Sequence, residues 1–160
     1  MEELSDDCPD KPKKVFSAVH WLLVAIVVLS AACFVYALVR CASSVGRYGF
    51  PTTSDIDLLT GVIALAGTAM LLDGIARRLR SGEPPFTQGN ARAFRLMAAI
   101  VLVKIIVSVV AQFLVSNVNP ALGMNVVFSV DAVLAMLVFY LLHIIFKYGT
   151  TLQAEVQDLV

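Results

Sequence analysis

Four long apolar runs, set apart by short polar stretches, dominate the 160-residue chain. The first, Val15 to Val39, contains no Asp, Glu, Lys or Arg. The second covers about Leu58 to Ala76 and carries only Asp73; the third runs from Leu96 to Val118 around Lys104; the fourth runs from Met124 to Phe146 and holds Asp131 and His143. A helix rising 1.5 Å per residue needs about 20 such residues to cross a hydrocarbon layer about 30 Å thick. Each run therefore predicts a spanning helix over 15–39, 58–76, 96–118 and 124–146. The punctuation between them agrees. Arg40 to Asp57, with Gly46, Gly49 and Pro51, reads as a loop, and Pro84 and Pro85 break the helix in SGEPPFTQGN. Thr87 or Asn90 is placed to cap the third helix, and Pro120 marks a short loop before the fourth. Residues 1–14 have almost nothing to bury and read as a disordered tail. Residues 148–160 place Leu152, Val156 and Leu159 at helical spacing, which predicts a short amphipathic tail.

Composition changes this picture only by closing off alternatives. Hydrophobic residues make up 59% of the chain and charged residues 15%, an excess that a soluble domain of this size has no core to absorb. The formal net charge is zero, so no basic field of the nucleic-acid-binding kind exists and no direct nucleic-acid contact is expected. The first run is longer than a signal-peptide core and no A-x-A site follows it, so it reads as an uncleaved helix.

Charge is sorted along the chain instead. Lys11, Lys13, Lys14, Arg77, Arg78, Arg80, Arg92, Arg95 and Lys147 flank one side of the four spans, and Arg40 and Arg47 the other. Basic residues mark the cytoplasmic side of short loops, which predicts cytoplasmic N and C termini and a multi-pass protein of the inner or plasma membrane. The fold class expected is all-α, four transmembrane helices in an antiparallel up-down bundle, with the lipid bilayer as first partner.

Apolar helices gain little from associating in lipid, so small and polar residues should hold the spans together. Ala18, Ala25 and Ala32 form one stripe on the first span and Thr60, Ala64, Gly67 and Gly74 another on the second, so these faces are expected to meet. Lys104 and Asp131 fall at similar depth in the third and fourth spans, which predicts an intramembrane ion pair extended by Ser108 and Gln112 as a polar seam. A second polar group, His20, Asp73 and His143, lies near the inner ends of three spans; Asp73 also stands four residues before Arg77. No local spacing in that group marks a metal site. Cys8, Cys33 and Cys41 form no disulfide framework. HExxH, GxSxG, P-loop and GxGxxG patterns are all missing, so no enzyme activity and no cofactor are expected.

The distinctive residues gather in the central loop and the tail: Gly82, Glu83, Pro84, Phe86, Asn90, Arg92 and Arg95, then Phe146, Gly149, Leu152, Gln153, Glu155 and Asp158. Together with the four-span layout, this pattern resembles the DUF2975 family of uncharacterised bacterial membrane proteins. The chain differs from it in an added Pro85 and in its ending EVQDLV. The resemblance implies a bacterial inner-membrane protein without established activity, in the setting of a regulatory pair. The functional expectation is a regulatory or accessory membrane protein. It would work through contacts of its cytoplasmic loop and tail with a protein partner or a second copy of itself. The alternative is a small-ion or small-molecule permease using Lys104 and Asp131.

Overall fold

The computed structural model describes residues 11–118 and 129–157, which form four helices: α1 (Lys11–Tyr48), α2 (Thr53–Arg80), α3 (Gln88–Val118) and α4 (Val130–Gln157). All four are long and apolar enough to cross a membrane. They run beyond the apolar stretches at most ends, because polar residues at a helix terminus cost the backbone nothing. The largest departure is the segment Arg40–Asp57, expected to be a loop. Here α1 continues to Tyr48 and α2 begins at Thr53, leaving only residues 49–52 as the connection. Gly46 does not interrupt α1, since a single glycine weakens a helix by only about 1 kcal/mol.

Local chemistry explains this tight turn. Gly49 adopts φ 79°, the left-handed conformation that ends a helix, and its N–H returns to the Val45 carbonyl at 2.8 Å. Thr52 then caps α2: the Asp55 carboxylate accepts its backbone N–H at 3.1 Å and its hydroxyl at 2.5 Å. Arg40 Nε lies 2.8 Å from the same carboxylate, clamping the last turns of α1 to the first of α2. Asp55 is 1% exposed, so this pair buries a charge that nothing in the apolar pattern foretells.

The second connection is equally determined. Gly82, at φ 84°, donates to the Leu79 carbonyl and Glu83 N–H reaches back to that of Arg78, the paired bonds of a Schellman ending. Pro84 and Pro85 carry the chain across, and Thr87 Oγ1 accepts the Asn90 N–H at 3.2 Å to cap α3. Thr87 is therefore the cap. Asn90 instead turns inward, fully buried, and donates its side-chain amide to the Pro85 carbonyl at 2.9 Å.

The helices pack in chain order, α1 on α2, α2 on α3 and α3 on α4, and among the described residues no other pair of helices makes close backbone contact. One core joins Ile75, Ala93, Phe94 and Met97 with Phe139, Leu142 and Phe146 of α4, and a second joins Leu23, Ile26 and Val27 with Ala69, Leu72 and Ala76. The small-residue seam expected between the first two helices lies elsewhere. Ala18, Ala25 and Ala32 are exposed, and α1 buries Leu23, Ser30 and Ala37 instead. Gly67 faces α3, where a Cβ would meet Ile100 at 3.3 Å. A seven-residue spacing identifies a stripe but not which of several stripes meets a neighbour. On α1, the larger contact of Leu23 against two alanines of α2 decides.

The outer surface is strongly apolar. Leu22, Leu29 and Val39 on α1, Phe113 and Leu114 on α3, and Leu141 and Ile145 on α4 are all exposed. Residues 1–10 and 158–160 lie outside the described residues, so most of the tail expected over 1–14 is not placed. Lys11 to Lys14 belong to α1.

Candidate functional sites at the two helix ends

At the Arg-rich end, the start of α1 meets the end of α2. His20 Nδ1 and the Asp73 carboxylate approach to 2.5 Å, and the other Asp73 oxygen meets Arg77 at 2.5 Å, four residues on in the same helix. Asp73 is 8% exposed, so the Arg77 guanidinium neutralises a buried carboxylate that the His20 ring also meets. His143 does not join them. It lies on the far side of α3, its Nδ1 2.8 Å from the Ala91 carbonyl. That carbonyl is in the first turn of α3, and the contact fixes the middle of α4 beside it. The three-residue group suggested by depth alone thus splits in two, because depth carries no information about the direction a helix faces. Among the described residues no three His, Cys, Asp or Glu side chains converge as a metal site would require.

The same end joins the central loop to the tail. Phe86 lies tilted against Phe146, ring centroids 5.2 Å apart, and Phe94 meets Phe146 at 4.9 Å. Gly149 provides the space for this, because a Cβ there would overlap the Phe86 ring. Gly89 does the same for Arg78, whose guanidinium lies where its Cβ would be. Phe86, Asn90 and Gly149 therefore act together, Phe86 as the plug, Gly149 as its seat and Asn90 as the brace of the proline turn. Gly82 forms the helix ending, and Pro84 continues the chain from it. Arg78, Arg80, Arg92 and Arg95 remain exposed around this junction, as do Glu83, Leu152 and Glu155; Gln153 is half-buried. Asp158 and Leu159 lie outside the described residues.

At the opposite end, Lys104 meets a different acid from the one expected. Its Nζ lies 2.8 Å from Asp57 Oδ1 at the start of α2, and Ser108 Oγ donates to the same oxygen at 2.7 Å. Asp131 has no cation within 4 Å among the described residues, so the Lys104–Asp131 pair is corrected to Lys104–Asp57. The reason is the length of α2. In a loop, Asp57 would have no fixed place; in a helix beginning at Thr53, it projects beside α3. The seam of Lys104, Ser108 and Gln112 does share one face, and that face lines a cavity of about 630 Å³ with Asp57, Ser129 and Asp131. Gln112 Oε1 is buried beneath that face, with no hydrogen-bond partner among the described residues. Ser129 caps α4 through its hydroxyl, 3.4 Å from the Ala132 N–H, so Asp131 is not the group holding that helix start.

No protein-family model matches the chain, and neither does any curated protein or solved structure.

Proposed function

We propose that the chain is a multi-pass membrane protein, its four helices crossing the bilayer as an antiparallel up-down bundle with the Arg-rich end in the cytoplasm. The proposed function is that of a non-enzymatic regulatory or accessory component that docks a partner on that end. Exposed leucine, valine, phenylalanine and isoleucine across the bundle favour lipid as the surrounding solvent. Exposed Trp21 and Tyr148 lie at the Arg-rich end and Tyr48 at the other, as the interfacial positions of a bilayer prefer. The nine-to-two distribution of basic residues supports the orientation. Similarity to the DUF2975 family belongs to this reading and rests on the loop and tail residues.

The observation that carries the functional part is Phe86 seated on Gly149 and Phe146. It makes loop and tail one surface, with exposed Arg80, Arg92 and Arg95 beside the exposed apolar pair Leu152 and Val156. Such a surface suits a soluble protein with an acidic, partly apolar face, or the same surface of a second copy. The test is capture from native membranes with a tagged chain after cross-linking. Replacing Arg80, Arg92 and Arg95 by glutamate should reduce the captured partner by about tenfold or more, which corresponds to about 1.4 kcal/mol of lost interaction. Undiminished capture by that variant, correctly inserted, would contradict the reading.

A second reading, a small-ion or small-molecule permease, has the cavity of the opposite end in its favour, with Asp57 replacing Asp131 as the partner of Lys104. It requires flux across vesicles containing the protein.

A further inference from the structure

The cavity at the start of α2 and α4 combines features that an ion-pair clasp does not need. Three helices contribute to it: α2 through Asp57, α3 through Lys104, Ser108 and Gln112, and α4 through Asp131 beside its cap Ser129. The Lys104 ammonium and the Ser108 hydroxyl are both directed at one oxygen, Asp57 Oδ1. The one cation of the wall is thus paired with Asp57. The Asp131 carboxylate, exposed on the wall, has no cation within 4 Å among the described residues. Formal charges of the two aspartates and the lysine leave the site at minus one.

We infer that this cavity binds a small monovalent organic cation through a primary ammonium group. An ammonium offers three N–H donors, no acceptor and one positive charge, the complement of the Asp131 carboxylate with the Ser129 hydroxyl beside it on the wall. The volume, about 630 Å³, falls in the range of sites for small organic molecules and far exceeds that of a bare ion. Lys104 has a second part in this arrangement. By neutralising Asp57 it leaves a single uncompensated carboxylate, which selects one positive charge over two. The ammonium group is carried both by free amines and by the headgroup of ethanolamine lipids, and the site's chemistry accepts either. The inference uses the cavity of the permease reading but concerns binding alone: saturable binding without flux leaves it intact and removes only transport.

The experiment uses the full chain in phosphatidylcholine nanodiscs, with ethylammonium chloride as probe and sodium chloride at equal ionic strength as control. A saturable rise in the thermal unfolding temperature with ethylammonium, and none with sodium, is expected. Asp131→Asn should raise the half-saturating concentration at least about tenfold, since a charge-assisted bond becomes a neutral one. Asp131→Ser, a second neutral replacement suited to the first turn of a helix, should have the same effect and serves if the first variant does not fold. Discs with added phosphatidylethanolamine separate the sources. If the headgroup already fills the site, the free amine's half-saturation shifts upward with lipid content; if only the free amine enters, it does not move. Either result supports the site. No saturable response of the wild type to ethylammonium in phosphatidylcholine, or an equal response in the folded Asp131→Asn or Asp131→Ser protein, would overturn it.

Discussion

Asp57→Ala is expected to destabilise the folded protein by about 2 kcal/mol, whereas Asp131→Ala should change stability by no more than about 0.5 kcal/mol. The Lys104 side chain is only 14% exposed and, among the described residues, has Asp57 as its one carboxylate within 4 Å. Removing that carboxylate leaves a largely buried ammonium without its counter-charge, and insertion scales place such a charge at about 2.5–3.5 kcal/mol near a helix centre. The figure is reduced here because Asp57 itself is 51% exposed, so water already shares in solvating the pair. Replacing Lys104 by Met in the Asp57→Ala background should recover most of the loss, because the cost lies in the orphaned charge rather than in a missing attraction. Chemical or thermal unfolding in micelles of the three variants measures this directly. A larger effect from Asp131 than from Asp57 would return the lysine to the partner suggested by depth alone.

The second large effect concerns Gly149. A glycine inside a helix ordinarily costs about 0.5–1 kcal/mol against alanine, so its replacement usually stabilises. Gly74→Ala should follow that rule, because a Cβ at that position in α2 would meet nothing within 4 Å. Gly149→Leu should do the opposite, by about 2 kcal/mol, because the added side chain occupies the place of the Phe86 ring and drives it off Phe146. Loop and tail would then separate, and partner capture should fall together with stability. Unfolding temperatures of the two glycine variants, compared in sign, give the test. If Gly149→Leu stabilised as Gly74→Ala does, Phe86 would not be seated there.

Much of the fold can be read from the chain, because the bilayer's demand for apolar length is imposed run by run. Four helices, the break at Pro84 and Pro85, and a cap at Thr87 or Asn90 all follow from local residues, and the structure chooses Thr87. The start of α2 does not, since polarity between Arg40 and Asp57 resembles a loop. Two cues are present: Thr52 and Asp55 stand at capping-box spacing, and Asp55 is fifteen residues from Arg40, within reach across a hairpin. That single boundary determines the partner of Lys104. Helix facing is the other illegible property. Ala18, Ala25 and Ala32 have the spacing of an interface and are exposed, and His143 shares a depth with His20 but turns to the Ala91 carbonyl. Loop and tail residues fare differently: Phe86, Asn90 and Gly149 stand out in the sequence and meet in space, because a plug, its seat and its brace have to be particular residues.

The central claim is that four spans place the loop around Phe86 and the α4 tail on the same, cytoplasmic side. Single cysteines at Ser81, Gln153 and Arg47, in a chain whose Cys8, Cys33 and Cys41 are replaced by serine, test it by labelling intact cells with a membrane-impermeant maleimide. Labelling at position 47 alone, with 81 and 153 reacting only after the membrane is opened, is the predicted result. Labelling of 81 or 153 in intact cells would contradict it.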